Sequence, residues 1–272
     1  MTVTGGTRQQ PASGGAGVVV FDIGNGSIKW GRFAQGNWGC FERGELTESG
    51  RLPLDTDPTV MSPDIAVSVN PLVLRRWTTA HPSLRVVGHE IPIPLSTGYE
   101  TCGDDRVCAL AGALREADAA LVLDAGTCLV ATAGTLEHGV IGGAIAPGPD
   151  LMARALSEGT ASLPHVEFCA DASALGRSTP AAIQAGLDAA HVGAARELIA
   201  RIRREMTAIC PDFGLFVVST GTGGEALAER IPEIDAFRPY LPLWGALWGA
   251  RPRDLPGELP GSDFAQSGPS SL

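Results

Sequence analysis

Two segments of this 272-residue chain repeat one arrangement: Val18-Val19-Val20-Phe21-Asp22-Ile23-Gly24-Asn25 and Leu121-Val122-Leu123-Asp124-Ala125-Gly126-Thr127. Both run apolar residues into Asp-x-Gly-[Asn/Thr]. A carboxylate where a strand leaves the core can hold a hydrated cation, and the turn that Gly permits presents backbone N–H groups to phosphate oxygens. Two copies in one chain predict two similar lobes facing a shared nucleotide cleft. The chemistry they support is phosphoryl transfer from ATP bound with Mg²⁺.

The first copy continues through Gly26-Ser27-Ile28-Lys29, so carboxylate, amides, hydroxyl and ammonium surround one turn. Read as a phosphate loop, Asp22 acts on Mg²⁺ through water and Lys29 lies near the phosphates. The same string also suits an Asn-Gly hairpin with a capping Asp. Tyr99 and Gly103-Asp104-Asp105-Arg106 form the next cluster. Asp105 falls at a helix N-terminus, where the dipole favours its ionised form. Arg106 offers a planar fork suited to a substrate carboxylate. Two acidic residues that only cap a helix would give the same pattern. Thr179 opens another helix, where its hydroxyl either caps or meets a ligand. Gly221-Thr222-Gly223-Gly224 resembles half a dinucleotide fingerprint, but too little chain follows for a dinucleotide domain, and a turn against an adenine ring fits better. His81, His89, His138, His165 and His191 share no ligand or triad spacing.

These residues need elements to position them. A strand ending at Phe21 and a second through Ile28, Trp30 and Arg32 would leave Asp22 to Ser27 as a hairpin loop. Ile65-Val69 and Arg85-Val87 read as the third and fourth strands. Asp104-Asp105-Arg106 opens a helix with Val107, Leu110, Ala111 and Leu114 at a period near 3.6. A second lobe repeats strand, Asp turn and strand from Leu121, and a helix follows through Leu151, Met152, Ala155 and Leu156. The longest helix begins at Ser178 or Thr179 with Pro180 in its first turn, its apolar face running from Ile183 to Ile202. Val217-Ser219 is a late strand, turned by Gly221–Gly224 into a helix over Glu225 to Arg230. Trp244 and Trp248, four apart, are expected in the core. The resulting division is a first lobe over 17–118, a second over 119–250, and disordered tails at 1–16 and 251–272.

Bulk properties bound the alternatives. A net charge of −10 argues against broad nucleic-acid binding. Cys40, Cys102, Cys108, Cys128, Cys169 and Cys210 form no C-x-x-C pair, so neither a zinc ribbon nor a redox motif is supported. With no apolar leader and no run of 18 apolar residues, the expectation is a soluble cytoplasmic protein.

Taken in order, the blocks resemble type III pantothenate kinase, of the acetate and sugar kinase/Hsp70/actin superfamily. The matching pieces run from Val18 to Gly249. The resemblance implies an α/β, two-lobed actin-like (ribonuclease H-like) duplicated fold and phosphorylation of pantothenate, the first step towards coenzyme A. Asp22-Ile23-Gly24-Asn25 with Gly26, Ser27, Ile28 and Lys29 is similar to the family's phosphate loop, and Thr127 to its second ATP contact. Ser68-Val69-Asn70-Pro71 resembles its Ser-x-x-Pro strand end. Gly103, Asp104, Asp105 and Arg106 match Gly-x-Asp-Arg, implying pantothenate binding with Asp105 as the catalytic base. Tyr99 and Thr179 resemble substrate contacts. Asp124 is implied as the ligand of K⁺ or NH₄⁺, and a homodimer interface as part of the pantothenate pocket. Three departures stand out: only three residues separate Tyr99 from Gly103, Gly26 replaces a hydroxylated residue, and Glu225 replaces Asp. A non-catalytic nucleotide-binding relative, or a kinase for another small hydroxylated substrate, is the alternative.

Overall fold

A computed structural model of the chain describes residues 17–34, 46–212 and 214–250. The two expected tails and Cys40 lie outside the described residues. Two five-stranded sheets follow the same path. In the first, β1 (Gly17–Ile23) pairs antiparallel with β2 (Ile28–Ala34), which pairs antiparallel with β3 (Leu46–Leu52). On its other side β1 runs parallel to β4 (Ile65–Ser68), and β4 to β5 (Arg85–Val86). The second sheet repeats this with β6 (Ala119–Ala125), β7 (Cys128–Thr135), β8 (Gly139–Pro147), β9 (Leu215–Thr220) and β10 (Ala236–Phe237), in the order β10-β9-β6-β7-β8. Each Asp-x-Gly turn therefore lies at the C-terminal end of its sheet's central strand. This is the two-lobed, duplicated α/β architecture expected from the repeat.

The hairpin is tighter than expected. Asp22 and Ile23 remain in register with Lys29 and Ile28, so the loop is Gly24–Ser27 and Asp22 belongs to the strand. The apolar run simply continues, since Ile23 and Ile28 are both fully buried. β3 and α1 (Pro71–Ala80) are among the elements that had no clear sequence signal. β3 (LTESGRL) is an edge strand with mostly solvated side chains, so it lacks an alternating pattern. Helix α1 begins inside the Ser68–Pro71 motif: the Asn70 side chain caps it by accepting from the Val73 N–H, and Pro71 occupies its first turn. α1 carries the fully buried Trp77, whose ring meets Phe21 edge-on at 4.8 Å.

Helix α2 (Asp104–Ala113) was expected to be amphipathic, but Val107 through Ala113 are all buried. It lies between the two sheets. Val107, Leu110 and Leu114 pack with Val122, Val140 and Val218 of the second, while Cys108 packs with Val20 and Val67 of the first. A helix covered on all sides loses its polar stripe, and Ala109, Ala111, Gly112 and Ala113 keep it thin enough to fit. α6 (Leu241–Gly249) returns to cover the first sheet, placing Leu243 and Leu247 beside Cys108 and Phe33. Trp244 and Trp248 of this helix are only half-buried; Trp244 meets Phe33 edge-on at 4.7 Å, with the Arg115 guanidinium over its ring at 5.2 Å. Helices α3 (Pro149–Gly159) and α4 (Thr179–Ile209) flank the second sheet, with Val192, Ala195 and Ile199 of α4 against Leu121, Leu123 and Leu129. Ser178 caps α4 by accepting from the Ala181 N–H, leaving Thr179 as its first residue. α5 (Gly224–Arg230) follows the glycine turn after β9.

Candidate active site

The two Asp turns face each other. A Cβ on Gly26 would stand 2.5 Å from Thr127 Oγ1, so the loops of the two lobes are in contact. Between them the Lys29 ammonium lies 3.2 Å from Asp22 Oδ2 and 3.6 Å from Asp124 Oδ2. One cation thus joins the central strand ends of both sheets. Burial alone would discharge Lys29, but Asp22, Asp124 and the more distant Asp105 outweigh it and raise its pKa. Asp22 is buried, and desolvation raises its pKa against the pull of Lys29. Its exposure is 2%.

Asp105 joins this group from the first turn of α2. Desolvation, with the repulsion of Asp22 and Asp124, raises its pKa to about 6, against the Arg106 N–H that donates to Oδ1 at 2.8 Å. The helix start favours the ionised form, yet it does not hold this carboxyl in the ordinary carboxylate range. The dipole acts, but burial beside two carboxylates outweighs it. A carboxyl near 6 is a better proton acceptor at neutral pH than an unperturbed one. Its neighbour Asp104 points elsewhere: a Cβ on Gly88 would stand 2.7 Å from Asp104 Oδ2, and desolvation raises the Asp104 pKa with only His89 opposing.

Arg106 lies over β7. Its Nε donates to Thr132 Oγ1 at 3.0 Å, Nη1 to the Tyr99 hydroxyl at 2.6 Å and Nη2 to the Ala131 carbonyl at 3.3 Å. The short Tyr99–Gly103 connection therefore still delivers Tyr99 to Arg106. Thr132, which fixes the guanidinium plane, was not singled out by sequence; a buried Thr on an interior strand has no pattern of its own. Thr179 is not part of this group. It lines an apolar groove of about 960 Å³ between α3 and α4 with Met152, Leu156, Ile183 and Leu187, and no member of the carboxylate cluster or the Arg106 pair lines that groove.

Asp22 Oδ1 and Asp124 Oδ1 are both buried without a hydrogen-bond partner. Orphaned anionic oxygens of this kind fit a cation. Among the described residues no group of three or more His, Cys, Asp or Glu side chains converges as a ready-made cage. A cation here would take single carboxylates, with water or phosphate oxygens completing its shell, as Mg²⁺ does in nucleotide sites. Next to Lys29, a cavity of about 210 Å³ extends between Thr220, Gly221, Thr222 and Glu225 on one side and Phe237, Pro239 and Tyr240 on the other. The glycine turn after β9 therefore opens onto the same cleft as the phosphate-type loops.

The chain matches the family model of type III pantothenate kinase over residues 18–201. It is 31% identical over 255 residues to the type III pantothenate kinase of Halorhodospira halophila, spanning 86% of this chain and 97% of that protein. It is 33% identical to that of Gloeobacter violaceus, over 80% of this chain and 95% of that one. Among solved structures, a conserved Campylobacter jejuni protein described as a Baf family transcriptional activator has the same fold, with a TM-score of 0.55 at 17% identity over 84% of this chain and 94% of that one. By sequence along most of its length, this chain belongs to the type III pantothenate kinase family.

Proposed function

We propose that this protein catalyses the reaction of its family: ATP-dependent phosphorylation of pantothenate to 4'-phosphopantothenate, the first step towards coenzyme A. The observation that carries the reading is the bridge of Lys29 between Asp22 and Asp124 at the ends of the two central strands, close enough to Asp105 for all three charges to act on its carboxyl. The primary hydroxyl oxygen of pantothenate forms a bond to the γ-phosphorus of ATP. The bond from that phosphorus to the β–γ bridging oxygen breaks, ADP leaves with its electron pair, and Asp105 takes the hydroxyl proton. The transition state of such a transfer is loose, so position and charge matter more than a strong base.

In this reading the backbone of Ile23, Gly24, Asn25, Gly26, Ser27 and Ile28, with Thr127, holds the phosphates, and Lys29 neutralises them. Asp22 would hold Mg²⁺, which when bound would supply further neutralisation of the phosphates. Asp124, whose Oδ1 is buried without a hydrogen-bond partner, would hold K⁺ or NH₄⁺. Arg106, oriented by Tyr99 and Thr132, receives the pantothenate carboxylate beside the backbone of Gly103 and Asp104 at the start of α2. Thr179 reaches this pocket from a second copy of the chain. The apolar α3–α4 groove in which it lies supports a homodimer built through that face. Among the described residues no helix is long and apolar enough to cross a membrane, in keeping with a cytoplasmic enzyme.

The test is phosphorylation of pantothenate by purified protein with Mg·ATP, with K⁺ exchanged for Na⁺. Turnover that requires K⁺ supports both the reaction and the assignment of Asp124. ATP binding without turnover overturns the reaction and favours a non-catalytic relative, or a kinase whose hydroxylated substrate is another small molecule.

A further inference from the structure

Arg51 of β3 belongs to no motif considered so far, yet the sheet delivers it to the cleft. Antiparallel register sets Asp22 opposite Lys29, and Lys29 opposite Arg51. Directly opposed residues project from the same face, so the three form one row across β1, β2 and β3. Two adjacent cations in such a row repel unless each has its own anion. Lys29 has Asp22 and Asp124. Among the described residues Arg51 forms no ion pair. Its guanidinium donates from Nε at 3.2 Å and from Nη2 at 2.8 Å to a single neutral oxygen, Ser27 Oγ of the β1–β2 turn. That leaves Nη1 and the second Nη2 hydrogen unspent. Arg51 also lines the 210 Å³ cavity shared by Lys29, Thr220, Gly221, Thr222 and Glu225.

An uncompensated arginine beside a turn of backbone N–H groups, in a chain of net charge −10, has a reason to exist if an anion completes it. We propose that Arg51 binds the phosphate chain of the nucleotide from the β3 side of the cleft, with Ser27 holding its guanidinium in place while the site is empty. This inference rests on the ATP reading above and adds a residue to it. The planar fork matches two phosphate oxygens at once, whereas Lys29, committed to two carboxylates, offers a point charge. Because β3 is an edge strand with solvated side chains, Arg51 can reorient towards phosphate without disturbing the core.

The experiment is direct titration of adenosine and of Mg·ATP into the full chain and into its Arg51→Gln variant. The expected result is a Kd for Mg·ATP about 10-fold higher in the variant, as for loss of a charged hydrogen bond, with adenosine unchanged. An equal loss for adenosine and ATP, or no loss for either, overturns the proposal. Ser27→Ala separates contact from positioning: a loss as large as that of Arg51→Gln would mean that Arg51 acts only through the turn. Arg51→Lys should recover part of the affinity by restoring charge without the fork. Titration reads nucleotide binding alone. A protein that binds ATP but phosphorylates no pantothenate defeats the substrate reading, and Arg51 is then still judged by its own ratio of affinities.

Discussion

The two Asp turns occupy equivalent places in equivalent sheets and have become chemically different. In the first lobe the row across the sheet reads Asp22, Lys29, Arg51. In the second, the same row reads Asp124, Val130, Ile145. One lobe presents a carboxylate followed by two cations. The other presents a carboxylate followed by two apolar side chains, the last of them 63% exposed. Backbone geometry is therefore duplicated, but the cationic side chains of the row come from one lobe only. The second turn contributes Thr127 and a carboxylate whose Oδ1 is covered by the left-handed Gly221 at φ 83°. A duplicated fold in this way yields an asymmetric site, as transfer between two different substrates requires.

Ways to break that comparison begin with the group lying between the turns. Asp105→Asn is expected to lower kcat about 100-fold or more, as loss of a positioned base does, with Kd for ATP changed less than about 3-fold. Unchanged turnover would remove Asp105 from the reaction. The next comparison sets Asp22→Asn against Asp124→Asn. Asp22→Asn should cost roughly 100-fold in kcat/KM for Mg·ATP, and Asp124→Asn about 10-fold, by analogy with losses at metal-site carboxylates. Only Asp124→Asn should erase the preference for K⁺ over Na⁺. If both variants lose that preference equally, the two turns are not specialised in the manner described.

The pH profile gives a third test. Asp105 accepts a proton only when ionised, and its raised pKa of about 6 belongs to the free enzyme. A plot of kcat/KM should therefore rise with pH through about 6 and flatten above about 7. A limb centred near 4 would mean that burial does not control this group. The smallest effect is on stability. A carboxyl whose folded pKa is raised above its unfolded value holds its proton more tightly in the folded state. It therefore destabilises the fold increasingly as pH rises from about 4 to about 6, and fully above that. Replacement by neutral Asn should then stabilise the protein at pH 7.5 by about 1 kcal/mol, after discounting the full shift for the group's partial exposure. Thermal melts at pH 7.5 and pH 4 check the sign, since the gain should vanish at the lower pH.

The sequence alone determined the repeat, and through it two similar lobes with the Asp22 and Asp124 turns facing one cleft, while the resemblance of the Gly103–Arg106 block pointed to Asp105. Those features are written locally: an apolar run, a turn glycine and a helix start each follow from a few adjacent residues. What only the tertiary structure decided depends on neighbours distant in the chain. β3 and Arg51 had no legible signal because an edge strand needs no buried face, and the meaning of Arg51 arises from its register with Lys29 across β2. The burial of α2 on every side follows from being enclosed by two sheets and α6, which no period in its own residues records. The raised pKa of Asp105 has the same kind of origin. Its helix start is a local fact, whereas the two carboxylates and the low-dielectric cleft that raise it arrive from β1 and β6.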